Sequence, residues 1–222
     1  MQGQWVSTNS KLDCSFKENT FPPHRIYNID ESGLSTVPTK LPKVLSPTGT
    51  IRVAKMVSSE RGENVTVVCS CNAGGDYVPP FVIFPRQRML PELQHVCPPG
   101  TDVVARKNGW MTTETFIIYL AHFVRDVRCS DESKVLLLVD NNVSHVSLDA
   151  INFCRSHGIV ILEFPPHTTY KLQLLDVSFF GPLKTFYSQQ CDNWMVSHPG
   201  NAITDRQVAQ LLGEAYNKAA TA

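Results

Sequence analysis

Five consecutive apolar residues, Val135-Leu136-Leu137-Leu138-Val139, run directly into Asp140-Asn141-Asn142. A strand with no polar face has nothing to turn toward water, so this segment predicts a central position in a sheet covered on both sides. It commits the chain to α/β layering and leaves a carboxylate at the strand's carboxyl end. The flanks agree. Upstream, Thr112 or Thr113 followed by Glu114 reads as a helix start, and Phe116, Ile117, Leu120, Phe123, Val124 and Val127 recur along one helical face. Downstream, a shorter helix is expected from about 147 to 157, with Gly158 suited to end it. Ile159 to Phe164 is a second apolar strand.

The first half of the chain reads as an antiparallel meander. Residues 25–30 alternate polar and apolar and stop at Glu31-Ser32-Gly33. A short strand is expected from Ile51 to Ser58. Val65 to Cys71 and Val78 to Phe84 form a strand pair across Asn72-Ala73-Gly74-Gly75-Asp76, with Pro79 and Pro80 confined to the start of the second. Residues 85–109 are Pro-rich and read as irregular. Helices are expected from about Val177 to Cys191 and from Asp205 to Ala219. The predicted fold is α/β, a mixed five-stranded sheet flanked by helices, its parallel part joined by right-handed crossovers. The expected divisions are a tail or linker over 1–23, a main domain over 24–190 and a C-terminal helical extension over 191–222.

The charges balance, 20 basic against 20 acidic, so any contact with nucleic acid must come from local patches. No apolar run approaches the ~20 residues that cross a bilayer, and the polar start lacks a signal-peptide centre. The expectation is a soluble intracellular protein with no membrane partner, cut from a longer ancestral architecture. Seven scattered cysteines, several inside apolar runs, predict buried reduced thiols. Cys154-Arg-Ser-His157 has a metal-like spacing that no second pair completes.

Two predicted strands end alike, Ile29-Asp30 and Val139-Asp140. As parallel neighbours they would present both carboxylates at one sheet edge, where α/β sheets bind ligands. Asp176 opens the element after the last strand and can reach the same edge. Three clustered carboxylates repel one another without a cation, and an all-oxygen set suits Mg²⁺ or Mn²⁺. Two such ions about 3.5–4 Å apart stabilise the attacking and leaving oxygens of a phosphodiester. Taken singly, each aspartate also reads as a strand-end turn, and Asp176 as a helix N-cap. Glu31, next to Asp30 on an extended chain, points to the opposite side.

The segments DESG at 30–33, LLLVDNNVSH at 136–145 and PPHTTYKLQLLDVSFFGPLK at 165–184 together resemble the DDE-type endonuclease domain of the pogo/Tigger transposases. That family includes domesticated relatives such as centromere-binding protein B and the Jerky proteins. SCNAGGDYVPPFVIF at 70–84 and GWMTTETFIIYLAHF at 109–123 are similar as well. The resemblance implies a ribonuclease H-like fold, a nuclear location and DNA as partner, and it leaves a homodimer open. It implies two Mg²⁺ or Mn²⁺ ions held by Asp30, Asp140 and Asp176, with Asp30 bridging both. It also implies cleavage of a DNA strand and joining of the freed 3′-OH to a target. His145, His167 and Lys171 match positions that support the ligands or face DNA. Tyr170 and Leu174 stand where the family more often has histidine and proline, and nothing before residue 20 offers a helix-turn-helix pair. A domesticated nuclear protein that binds DNA or partners without cutting is the alternative reading.

Overall fold

The computed structural model describes residues 21–37, 62–140, 147–164 and 174–221. The tail to residue 20 and the strand expected from Ile51 to Ser58 lie outside them. After a single 3-10 turn at Pro23–Arg25, the described residues form β1 (Ile26–Ser35), β2 (Asn64–Asn72), β3 (Tyr77–Pro85), α1 (Pro91–Val96), β4 (Asp102–Arg106), α2 (Thr113–Val127), β5 (Val135–Val139), α3 (Leu148–Ser156), β6 (Ile159–Glu163), α4 (Leu174–Ser178), α5 (Phe180–Ser197) and α6 (Asp205–Ala220). The strands make one mixed sheet in the spatial order β4-β3-β2-β1-β5-β6. β1, β2 and β3 pair antiparallel, while β4, β5 and β6 each pair parallel to their neighbours.

The unbroken strand at β5 is covered as its pattern demands. Val135, Leu137 and Val139 pack under α2 and α3 with Phe116, Tyr119, Leu120, Phe123, Ala150 and Cys154. Leu136 turns to the other face, against Phe21 and Leu162. β2 and β3 divide in the same way, with Val65, Val67, Cys69, Val82 and Phe84 facing α4, α5 and α6. The chemistry of α2 follows its sequence. Thr112 Oγ1 accepts the Thr115 amide at 3.2 Å, and the buried residues Phe116, Tyr119, Leu120 and Phe123 fall at helical spacing.

The sheet has six strands, one more than expected. The additional strand, β4, lies in the stretch read as irregular, beside α1. β4 is an edge strand of sequence DVVAR whose five residues are all only half-buried, so it carries no apolar run to detect. Pro91, in that Pro-rich stretch, occupies the first turn of α1, where its missing N–H costs nothing. The helix expected over 177–191 is two helices meeting at Phe179, and the second runs on to Ser197. The boundary expected at 190/191 therefore falls inside α5. α6 returns along it, and Val208, Leu211, Leu212, Ala215 and Ala219 share one buried cluster with Leu183, Tyr187 and Cys191. Tyr216 Oη donates to the Val78 carbonyl at 2.9 Å and Tyr187 Oη to that of Ser35 at 3.0 Å, tying both helices to the sheet.

Six cysteines are buried as free thiols. Burial pushes Cys97 and Cys154 up to about 12 and Cys71 and Cys191 to about 11. At pH 8 their thiolate fraction is roughly a thousandth or less. Native protein carrying Cys14→Ser should thus react with less than half an equivalent of a disulfide-exchange reagent in minutes. Six equivalents should react after denaturation. Fast stoichiometric reaction of the native form would contradict this packing.

Candidate active site

β1 is the element that sets the site. It does not stop at Asp30, as the sequence reading had it, but continues to Ser35 along β2. Gly33 occupies an exposed strand position, and a Cβ there would meet nothing within 4 Å. What ends near Asp30 is the neighbour on the other side. β1 and β5 run parallel with Asn28 opposite Leu138 as the last register pair, and Asp30 and Asp140 each follow that pair by two residues. Asp30 is placed where β1 loses its β5 partner. Its backbone there lines a step in the sheet, where β1 continues along β2 without β5.

The faces follow from strand alternation. Asp30 pairs with Cys69, which is fully buried in the cluster beneath α4, α5 and α6. Burial pushes the Cys69 thiol far up, and the Asp30 carboxylate adds to that shift, which places this carboxylate on the same face. Asp140 shares the parity of Leu136 and Leu138 and faces the same way. Glu31 falls on the opposite face, where its charge helps to raise the buried Tyr119 hydroxyl. The amide of Glu31 donates to Asp30 Oδ1 at 2.7 Å, fixing the carboxylate's orientation.

Asp176 reaches this face on α4. It is the third residue of that helix, not its cap. Leu175 is fully buried and anchors α4 in the cluster with Phe179, leaving Leu174 and Asp176 exposed on either side. A residue the sequence reading passed over connects the parts. Asn28, 5% exposed, donates from Nδ2 to the Leu138 carbonyl at 3.4 Å and accepts the Leu175 amide on Oδ1 at 3.5 Å. One amide side chain thus links β1, β5 and α4, two residues before Asp30 and on its face. The signal was present in the alternation of Tyr-Asn-Ile-Asp, which puts a buried amide beside a candidate ligand.

His145, His167 and Lys171 lie outside the described residues. The Cys154/His157 spacing is structural: Cys154 is buried under the sheet, while His157 Nδ1 lies 2.9 Å from the Phe153 carbonyl and its ring stacks on Phe153. Among the described residues no group of three His, Cys, Asp or Glu side chains is close enough to hold a metal ion. The donor set fits a hard divalent cation in chemistry and in side. Asp30 and Asp140 are half-buried, each two residues past the last β1–β5 register pair, and Asp176 is exposed on α4.

A mixed sheet of this order with helices on both faces is the architecture of the ribonuclease H-like class. Solved transposases share it. The Mos1 mariner paired-end complex with Mn matches 98% of this chain and 61% of its own at TM-score 0.55 and 14% identity. The Mos1 strand transfer complex matches 97% and 59% at TM-score 0.52 and 15% identity. At such identities the likeness establishes the fold. The family is set by sequence: the model of the DDE superfamily endonucleases matches residues 62–218, and the chain belongs to that family. The matched segment includes Asp140 and Asp176, and β1 with Asp30 precedes it.

The human protein named Pogo transposable element with KRAB domain is 24% identical over 134 residues, 60% of this chain and 22% of that one. A Cochliobolus lunatus protein named MFS-type transporter clz9 is 31% identical over 203 residues, 88% of this chain and 21% of that one. The chain spans about a fifth of the length of these relatives. Among the described residues no helix is long and apolar enough to cross a membrane.

Proposed function

We propose that this chain is the catalytic domain of a nuclear transposase-type DNA endonuclease, with Asp30, Asp140 and Asp176 holding two Mg²⁺ or Mn²⁺ ions. The observation that supports the reading is that β1 and β5 run parallel to the register pair two residues before Asp30 and Asp140, while α4, which carries Asp176, is bound to Asn28 of β1. The Mos1 structures solved with Mn and with Mg support the choice of cation. When bound, the ions supply a water nucleophile and stabilise charge on the attacking and leaving oxygens of a phosphodiester.

The chain's own residues bind and position. Asp30 and Asp140 offer hard oxygen donors at a step in the sheet, and the Glu31 amide holds the first in one orientation. Asn28 fixes the separation of β1, β5 and α4, and so the distance over which Asp176 has to act. Leu175 and Phe179 shield the cluster behind the site from water, which strengthens electrostatic interactions in front of it. A reading as a domesticated nuclear protein that binds DNA or partners without cutting is favoured by one observation: among the described residues no three His, Cys, Asp or Glu side chains are grouped closely enough to hold a metal ion.

Nicking of a supercoiled plasmid in Mn²⁺ separates the two. The endonuclease reading expects the full chain to nick, and Asp176→Asn to slow nicking at least about a hundredfold. Absence of nicking by folded wild-type protein would move the assignment to the non-cutting reading.

A further inference from the structure

The carboxyl edge of the sheet bears a second feature, on the side away from β5 and β6. β3 and β4 run parallel with Pro85 opposite Arg106, so the segments that leave them, 85–90 and 106–111, depart side by side. Together they contribute Arg86, Arg88, Arg106 and Lys107 and no acidic residue. Two of these cations are committed within the fold. Arg86 pairs with the buried Asp205, and Arg106 Nε donates to Thr115 Oγ1 at 2.8 Å. Arg88 and Lys107 are exposed.

Three residues past Lys107 stands Trp110, 72% exposed. Its backbone is not a loose loop. The Gly109 amide donates to the Arg106 carbonyl at 2.8 Å, and the Gly109 carbonyl accepts Thr66 Oγ1 at 2.7 Å. Gly109 has φ +67°, and a Cβ there would come within 3.0 Å of the Asn64 carbonyl oxygen. A glycine turn pinned to β2, closed on β4 and set against Pro85 therefore presents an indole to solvent on the same pair of adjacent segments as two exposed cations, in a chain whose overall charge is zero.

We infer that Arg88, Lys107 and Trp110 form a binding surface for single-stranded DNA. Phosphates pair with the two cations and an unstacked base lies on the indole, since a paired and stacked base offers no free face to Trp110. This rests on the endonuclease reading for the identity of the ligand and adds where a strand leaving the site is held. Gly33, Thr66, Ile83 and Val104 lie level across the sheet. Arg106 is therefore three strand spacings and about five residues from Asp30, roughly 22 Å. About six stacked nucleotides span that distance.

The test is fluorescence anisotropy of a labelled 15-nucleotide oligo-dT with the full chain in EDTA, over about 50–200 mM salt, with melting curves to verify folding. Trp110→Ala should weaken binding about 5- to 100-fold. Arg88→Ala with Lys107→Ala should lower the slope of log affinity against log salt by about 1.4. Lys134→Ala, which removes an exposed cation at the amino end of β5 and outside this surface, should bind within about twofold of wild type. Wild-type affinity and slope in both patch variants would overturn the inference, and a protein partner at Trp110 would give that result. The plasmid assay is scored separately, so a chain that fails to nick but loses oligo-dT binding with Trp110→Ala retains this surface and loses the endonuclease reading.

Discussion

Asp140→Asn is expected to lower Mn²⁺-dependent strand cleavage by a factor of about 10³ while leaving the fold intact. The substitution preserves shape at the end of β5 and removes the charge that a divalent cation requires. Removing one electrostatic contact of this kind from a transition state typically costs 10²–10³ in rate. Asp140 lies one residue past the end of β5, and its isosteric amide removes no apolar contact. The melting temperature in EDTA should therefore be unchanged. Gel quantification of nicked plasmid, with calorimetry in EDTA, checks both halves. Lost cleavage with a melting temperature several degrees lower would instead mark Asp140 as a packing residue.

Phe123→Ala is expected to produce the largest loss of stability, about 3–5 kcal/mol. Phe123 is fully buried on α2, and its ring meets Tyr27 edge-on with centroids 5.0 Å apart. Tyr27 immediately precedes Asn28, so the cavity opens on the face of β1 opposite the candidate site. For a domain of this size, the melting temperature should fall by roughly 6–20 °C. Urea denaturation gives the free energy directly, and a loss below about 1 kcal/mol would show that the cluster under α2 is not close-packed. Cleavage measured well below the new melting temperature should change little, since Asp30 is held by β2 and the Glu31 amide.

Much of the fold was legible in the sequence because its strongest signals are local. Val135 to Val139 carries apolar residues to both faces, and the buried residues of α2 repeat at helical spacing. Gly158 has φ +68°, and a Cβ there would lie 2.0 Å from the Ser130 carbonyl oxygen, so the stop after α3 had a residue that only its turn explains. β4 was not legible, because a half-buried edge strand of mixed residues has no pattern apart from its partner β3. The break between α4 and α5 was missed for a related reason: Val177, Phe179 and Phe180 continue an apolar run through the junction.

The candidate site was legible in its residues but not in its registration. Apolar strands running into Asp30 and Asp140 identified both carboxylates. That both follow one register pair depends on β1 lying parallel to β5, a pairing between residues 110 positions apart. The sequence reading ended β1 at Asp30, whereas the strand runs five residues further and it is β5 that ends. Asn28 was overlooked because its role exists only once three elements from distant parts of the chain meet on one amide.

Titration of Mn²⁺ into the folded chain, followed by calorimetry and repeated with Asp140→Ala, tests the central assignment most directly. The account predicts saturable binding by wild type and at least a tenfold weaker affinity in the variant at unchanged melting temperature. Equal affinity in the two proteins would contradict it.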